Sequence, residues 1–205
     1  MKPKYWTQAQ LFLSKNDPVM AKLIKAYKGE VIVSRGNSFE TLLRSIVGQQ
    51  ISVKAAQTVW QRLIDQIKKA HPDTILAEPL EKLRACGLSQ RKAEYAKDLA
   101  THFTSGQLDP AKWLDMEDEE IIELLCEVRG IGRWTAEMFL MFHLLRPNIL
   151  PVDDVGLQKA ASIQYKKKYP MSAKTLTALG KKWDPWRSVA TWYLWRSLDP
   201  IPVEY

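Results

Sequence analysis

An all-α, two-lobed architecture is what this 205-residue sequence predicts, and three observations predict it. Apolar residues recur at helical spacing from one end to the other. Strict alternation with β-branched residues is confined to VIVS at 31–34. Cap residues and prolines stand where helices should open, and neither a low-complexity linker nor a fixed-period repeat interrupts them. With 46% hydrophobic residues the chain can bury a real core. The simplest organisation is a single discontinuous domain over 1–205.

Each element has its own justification. Asp17 and Pro18 make a cap and first-turn pair that opens a helix toward Tyr27. Ser38 opens the next, with Phe39, Leu42, Leu43, Ile46 and Val47 on its apolar face. Ser52 begins a third, placing Val53, Ala56, Trp60, Leu63, Ile64 and Ile67 along one side. In CGLSQRKAEYA, Gly87 ends a short helix and Ser89 caps another. Asp109 and Pro110 repeat the cap-and-proline device, and MEDEEIIELL then starts a helix whose acidic residues lie at its dipole-positive end. The run RWTAEMFLMFHLL predicts a helix through Leu145, followed by an extended return over 146–154. Helical patterns resume at about 155–165 and 173–182, and PWRSVATWYLWRSL forms the last.

Composition narrows the function. A net charge of +7 favours an anionic partner. The two cysteines, Cys86 and Cys126, have no CxxC spacing, which excludes a disulfide framework and a cysteine-held zinc or iron–sulfur centre. His71, His102 and His143 share no metal spacing, so no metal site is expected. The start, MKPKYWTQAQLFL, is too polar for a signal peptide, and every apolar patch falls well short of ~18 residues. A reducing compartment and no membrane contact are expected.

Two features carry candidate chemistry. In EVRGIGRWTA, Gly130 and Gly132 bracket Ile131 between two helices, giving a tight helical hairpin over about 118–145. Glycines there allow positive φ and close approach to the backbone, and the following helix start offers N–H groups to a phosphate, with Arg133 adding charge. An ordinary hairpin using its glycines only as cap and turn fits the same residues. The second feature is Asp153–Asp154, ahead of VGLQKAASIQY. One of the two should cap that helix, and a carboxylate at a helix start also suits an anion that meets developing positive charge. A return segment of nine residues reaches at most about 26 Å, enough to bring the pair back along the preceding helix.

Taken together, RSIVGQQISVKAA (44–56), LRACGLSQRKAEYAKDLA (83–100), GIGRWTAEMFL (130–140), LPVDDVGLQKA (150–160) and WDPWRSVATWYLWRSL (183–198) resemble the helix-hairpin-helix, Gly/Pro-rich loop, Asp superfamily of DNA glycosylases, in particular its DNA-3-methyladenine glycosylase II branch. The resemblance implies a two-lobed helical glycosylase fold and an enzyme that flips alkylated purines of the 3-methyladenine and 7-methylguanine type out of duplex DNA and hydrolyses their N-glycosidic bond. It places the catalytic aspartate on Asp154 and leaves Asp153 to the scaffold. It assigns Gly130, Ile131, Gly132, Arg133 and Thr135 to phosphate binding, and Gln49 and Gln50 to the region that fills the space left by the flipped base. Trp134, Trp195 and Met138 fall in the base pocket, where an electron-rich ring suits a cationic base. Arg44, with Lys54, Arg91, Lys92 and Arg187, is a candidate phosphate contact or support; Lys166–Lys168, Lys181 and Lys182 read as solvated helix surface.

The pattern also departs from its relatives. Arg129 stands where proline often precedes the first glycine, and Trp134 where bifunctional members carry lysine, so no Schiff-base lyase step is expected. An N-terminal β-rich domain known in the branch has no room here. The resemblance requires no cofactor, allows a monovalent cation at the hairpin's backbone carbonyls, and implies action as a monomer on double-stranded DNA, in the cytoplasm of a bacterium or the nucleus of a eukaryote. Competing readings are an oxidised-purine or mismatch glycosylase and a noncatalytic helix-hairpin-helix DNA-binding module.

Overall fold

The computed structural model describes residues 3–34 and 36–198 and is helical throughout, with no strand among the described residues. Among the described residues the helices are α1 (Trp6–Asn16), α2 (Pro18–Ala26), α3 (Ser38–Gly48), α4 (Val53–Ile67), α5 (Pro72–Ala77), α6 (Leu80–Ala85), α7 (Gln90–Thr104), α8 (Asp118–Cys126), α9 (Arg133–Phe142), α10 (Val155–Gln164), α11 (Ala173–Gly180) and α12 (Arg187–Arg196). The chain divides into a terminal unit, residues 1–34 with 140–205, and a central unit, residues 35–139, and passes from one to the other within α9. No described helix is long and apolar enough to cross a membrane. The first two residues of the polar N-terminal stretch lie outside the described residues.

The terminal unit is built around α12, whose residues from Ser188 to Leu194 are all buried. Such a helix shows no amphipathic stripe because neighbours cover every face. Trp6 of α1 meets the Trp192 ring edge-on at 5.3 Å. Asp17 caps α2 as its sequence predicts, accepting from Val19 N and Met20 N. Its other oxygen is bonded by Tyr165 Oη at 2.7 Å and Trp183 Nε1 at 3.2 Å. That buried carboxylate is therefore fully supplied with donors, as burial requires. Near the end of α12, Arg196 pairs with Glu30 and lies 4.8 Å over the Tyr27 ring.

In the central unit α7 packs against α3, α5 and α6. An edge-to-face chain runs from Phe39 through Phe103 and Trp113 to Phe139. Ser89 caps α7 by accepting from Lys92 N, and Gly87, at φ +106, closes the preceding helical segment. The acidic first turn of α8 holds Asp118, Glu119 and Glu120, where the helix dipole favours them.

Several expectations needed correction. VIVS at 31–34 is irregular, with only Ile32 buried. Asn37, not Ser38, caps α3, accepting from Glu40 N at 2.8 Å. Along α4 the expected face holds, with Leu63 and Ile67 buried and Ala56, Trp60 and Ile64 half-buried, but Val53 at its start is exposed. Asp109 and Pro110 start a turn and no helix: Asp109 bonds Ala111 N, and the segment is anchored by the single buried ring of Trp113 while Leu114 points to solvent. Finally, α9 stops at Phe142, three residues before Leu145, which takes φ +57 as Arg146 N turns back to Leu140 O. Pro147 then keeps Arg146 out of the α region, so the helix does not resume before the return loop.

Candidate functional site

The hairpin of the central unit is set by α8, α9 and the side of α7. Gly130 has φ +88, and a Cβ there would lie 2.6 Å from Tyr95 Cε2, so both conformation and space require glycine. Gly132 differs: its φ is ordinary and a Cβ would meet nothing within 4 Å. It stands at the start of α9, its carbonyl receiving Ala136 N, and its exposed backbone leaves room for an incoming group. Ile131 is buried and ties the turn through its N–H to Val128 O at 3.0 Å. Thr135 is half-buried one turn along.

The cations beside the hairpin are engaged within the protein. Arg129 lies over the Tyr95 ring, pairs with Glu94 at 3.2 Å, and donates its backbone N–H to Asp98 at 2.8 Å. It therefore docks the turn on α7. Arg133 makes a two-point pair with Glu119, at 2.5 and 2.8 Å, and a third bond to Glu137 at 3.3 Å. Those hydrogen bonds raise the Arg133 guanidinium and hold the Glu119 carboxyl below the usual range. Arg44 lies 4.9 Å over the Trp60 ring and 4.0 Å from Glu40.

Gln49 and Gln50 separate into different situations. The Gln49 amide donates to Gly130 O at 2.7 Å, joining the α3–α4 turn to the hairpin. Gln50 is exposed at φ +57. Beneath the turn, Lys92 Nζ donates to Val47 O at 2.8 Å and Gln49 O at 2.7 Å, closing the C-terminal end of α3. Burial lowers the Lys92 ammonium from its ordinary value. Of the three pocket candidates, Trp134 on α9 is 43% exposed, whereas Met138 is only 4% exposed and packed into the core.

In the terminal unit the return loop is pinned by α12. Ser188 Oγ donates to Arg146 O at 2.6 Å and accepts from Ile149 N at 2.9 Å, and Ser188 N bonds Pro147 O. Asn148 reaches Asp184 at 2.8 Å. Leu150 packs so closely on Gly180 that a Cβ there would lie 2.5 Å from Leu150 Cδ2. The loop delivers Asp154 to the start of α10, where its Oδ1 accepts from Leu157 N at 2.5 Å and from Trp195 Nε1 at 2.9 Å. Trp195 is itself stacked on Phe142, ring centroids 6.0 Å apart.

Two site residues carry structural contacts as well. The helix cap is Asp154, the residue assigned to chemistry, while Asp153 is exposed. Trp195, expected as a base receiver, also donates its indole N–H to that carboxylate. Three residues that the sequence reading did not single out complete the local geometry: Tyr95 under Gly130, Ser188 on the loop, and Gly156, where a Cβ would lie 3.1 Å from Asp154 Oδ1 and 3.5 Å from Trp195 Nε1. Gly156 sits in plain view within DVGLQ, yet only the folded positions of the Asp154 carboxylate and the Trp195 ring explain it.

Residues 43–185 match the profile of the HhH-GPD superfamily of base excision DNA repair proteins. DNA-3-methyladenine glycosylase 1 of Schizosaccharomyces pombe is 30% identical, the match covering 93% of this chain and 87% of its own length. A DNA-3-methyladenine glycosylase of Bacillus subtilis is 28% identical over 91% of this chain, which spans 65% of that protein's length. Among solved structures, a DNA-3-methyladenine glycosidase from Bacillus halodurans is similar with a TM-score of 0.85 and 35% identity, covering 92% of this chain and 88% of the other.

Proposed function

The chain belongs to the HhH-GPD superfamily of base excision DNA repair proteins, and on that footing we propose that it is a monofunctional glycosylase removing alkylated purines from duplex DNA. The observation that carries the reading is the carboxylate of Asp154, fixed by Leu157 N and Trp195 Nε1 at the start of α10. A carboxylate held in one orientation needs little reorganisation when positive charge develops on the sugar. In the reaction the bond from the sugar's anomeric carbon to the base nitrogen breaks, with its electron pair leaving on the base. Water adds to the oxocarbenium-like carbon and loses a proton. Asp154 stabilises that cation and orients the water.

The other roles follow the same logic. The N–H groups at the start of α9 receive a backbone phosphate, Gly132 leaving them accessible. Trp134 offers its ring face to a cationic alkylated base, an attraction worth about 0.5–2 kcal/mol. Gln50, and not Gln49, is the side chain available to fill the space left by the base, because Gln49 is committed to Gly130 O. Two of the hairpin carbonyls, Val128 O and Gly130 O, each accept a hydrogen bond within the protein. Trp134 stands where a lyase needs an amine, so release leaves an abasic site with the strand intact. Support for DNA as the partner comes from the S. pombe relative Mag1, solved with abasic DNA and similar to this chain with a TM-score of 0.80 and 28% identity.

The test is base release from methylated duplex DNA by the wild type and by Asp154→Asn. Release should fall at least about 100-fold in the variant, the scale of losing one well-placed electrostatic group, while duplex binding is retained. Equal release by the two proteins would remove Asp154 from the mechanism. Borohydride trapping of a covalent adduct would overturn the monofunctional assignment.

A further inference from the structure

Between Val155 and Trp183 the sequence holds seven lysines and no acidic residue, while the rest of the chain holds twenty-three basic and twenty-three acidic residues. The excess of positive charge over the whole protein therefore equals the charge of this one segment. The hairpin region is the opposite: residues 115–137 carry eight acids against two arginines, and both arginines are paired with carboxylates. Backbone donors at the hairpin can orient a phosphate, but its side chains repel a polyanion at a distance.

The lysines all lie on or next to α10 and α11 of the terminal unit. Lys159, Lys166, Lys167, Lys168, Lys174, Lys181 and Lys182 are all exposed, and none makes an ion pair among the described residues. Helices α10 and α11 pack on each other. The triplet is set in a defined turn: Lys166 has φ +51, Lys167 N bonds Ser162 O at 2.9 Å, and Ser162 Oγ reaches Lys168 O at 3.4 Å. Helix C-termini favour cations and account for where the two lysine clusters sit. They do not account for the lack of every acidic partner across twenty-nine residues.

We propose that the α10–α11 surface is a second duplex-DNA contact, binding phosphates outside the lesion and supplying the sequence-independent attraction that the acidic hairpin lacks. The inference rests on the proposed function for its partner, and not on the base-release chemistry. Duplex DNA presents a phosphate every ~1.7 Å along its axis, and each one neutralised changes the salt dependence of binding by ~0.9.

The experiment compares three full-length proteins on a fluorescent undamaged duplex of about 25 base pairs across a salt series. One carries Lys166→Gln, Lys167→Gln, Lys168→Gln and Lys174→Gln. A control carries Lys15→Gln, Lys22→Gln, Lys25→Gln and Lys28→Gln on α1, α2 and the turn after α2, removing the same charge elsewhere. The patch variant should bind at least about tenfold more weakly and lose about two or more in salt slope, with the control close to wild type. Equal weakening of both variants, or of neither, overturns the proposal. So does unchanged duplex binding with lost affinity for phosphatidylserine vesicles, which would make the partner a membrane. Single-turnover base release at saturating enzyme should be unaltered by the patch substitutions. If the wild type releases no methylated base, the glycosylase reading fails while the binding comparison still decides the patch.

Discussion

At Asp154, a backbone N–H from Leu157 and the indole N–H of Trp195 act on one carboxylate oxygen, with Gly156 set against it. Trp195→Phe keeps a ring beside Phe142 but removes the N–H, so base release should drop about tenfold, the effect of one hydrogen bond to a charged group, with little change in thermal midpoint. Gly156→Ala pushes a methyl against both Asp154 Oδ1 and Trp195 Nε1, and should slow release without weakening duplex binding. A Gly156→Ala enzyme with wild-type kinetics would show that the carboxylate tolerates displacement. Gly130→Ala belongs to a different class of effect: it forces a side chain into positive φ and into the Tyr95 ring. Its expected cost is about 2–4 kcal/mol, read from denaturant unfolding.

Among elements, the junction of α3, α4 and α7 with the hairpin depends on two long polar side chains. Lys92 closes the last carbonyls of α3 from α7, and Gln49 crosses from the α3–α4 turn to Gly130 O. Replacing Lys92 by Met retains the alkyl stem and strands two carbonyls, which should lower unfolding stability by about 1–3 kcal/mol. Gln49→Ala should lower it by about 1 kcal/mol and raise the KM for DNA through a less rigid hairpin. A double-mutant cycle between the two would measure their coupling, and strict additivity would show that they act on separate elements. The cap at Asp17–Pro18 was legible because its partners are the next two N–H groups. The same signature at Asp109–Pro110 misled, since Trp113, and not an apolar stripe, decides how that segment packs.

For the molecule as a whole, alkaline pH offers a test of the terminal unit. Burial raises the phenols of Tyr5, Tyr165 and Tyr193, all in that unit, and the Asp17 hydrogen bond raises Tyr165 further. A folded-state pKa above the unfolded one contributes stability that is complete below the unfolded value of 10.0 and is lost as pH rises beyond it. The denaturant midpoint should therefore hold to about pH 9 and fall steeply by about pH 11. Tyr165→Phe should flatten that fall, and an unchanged profile would show that the phenol is solvated.

The sequence alone determined that the chain is helical, where most helices open, and which motifs place it in its family. Cap chemistry and apolar periodicity act within one or two turns, so their signals survive in the linear order of residues. The tertiary structure decided that Asp154 both caps α10 and meets Trp195, 41 positions away, and that Gln49 is spent on Gly130, 81 positions away. Many donors can satisfy a carboxylate or a carbonyl equally well, and only packing selects which of them arrives.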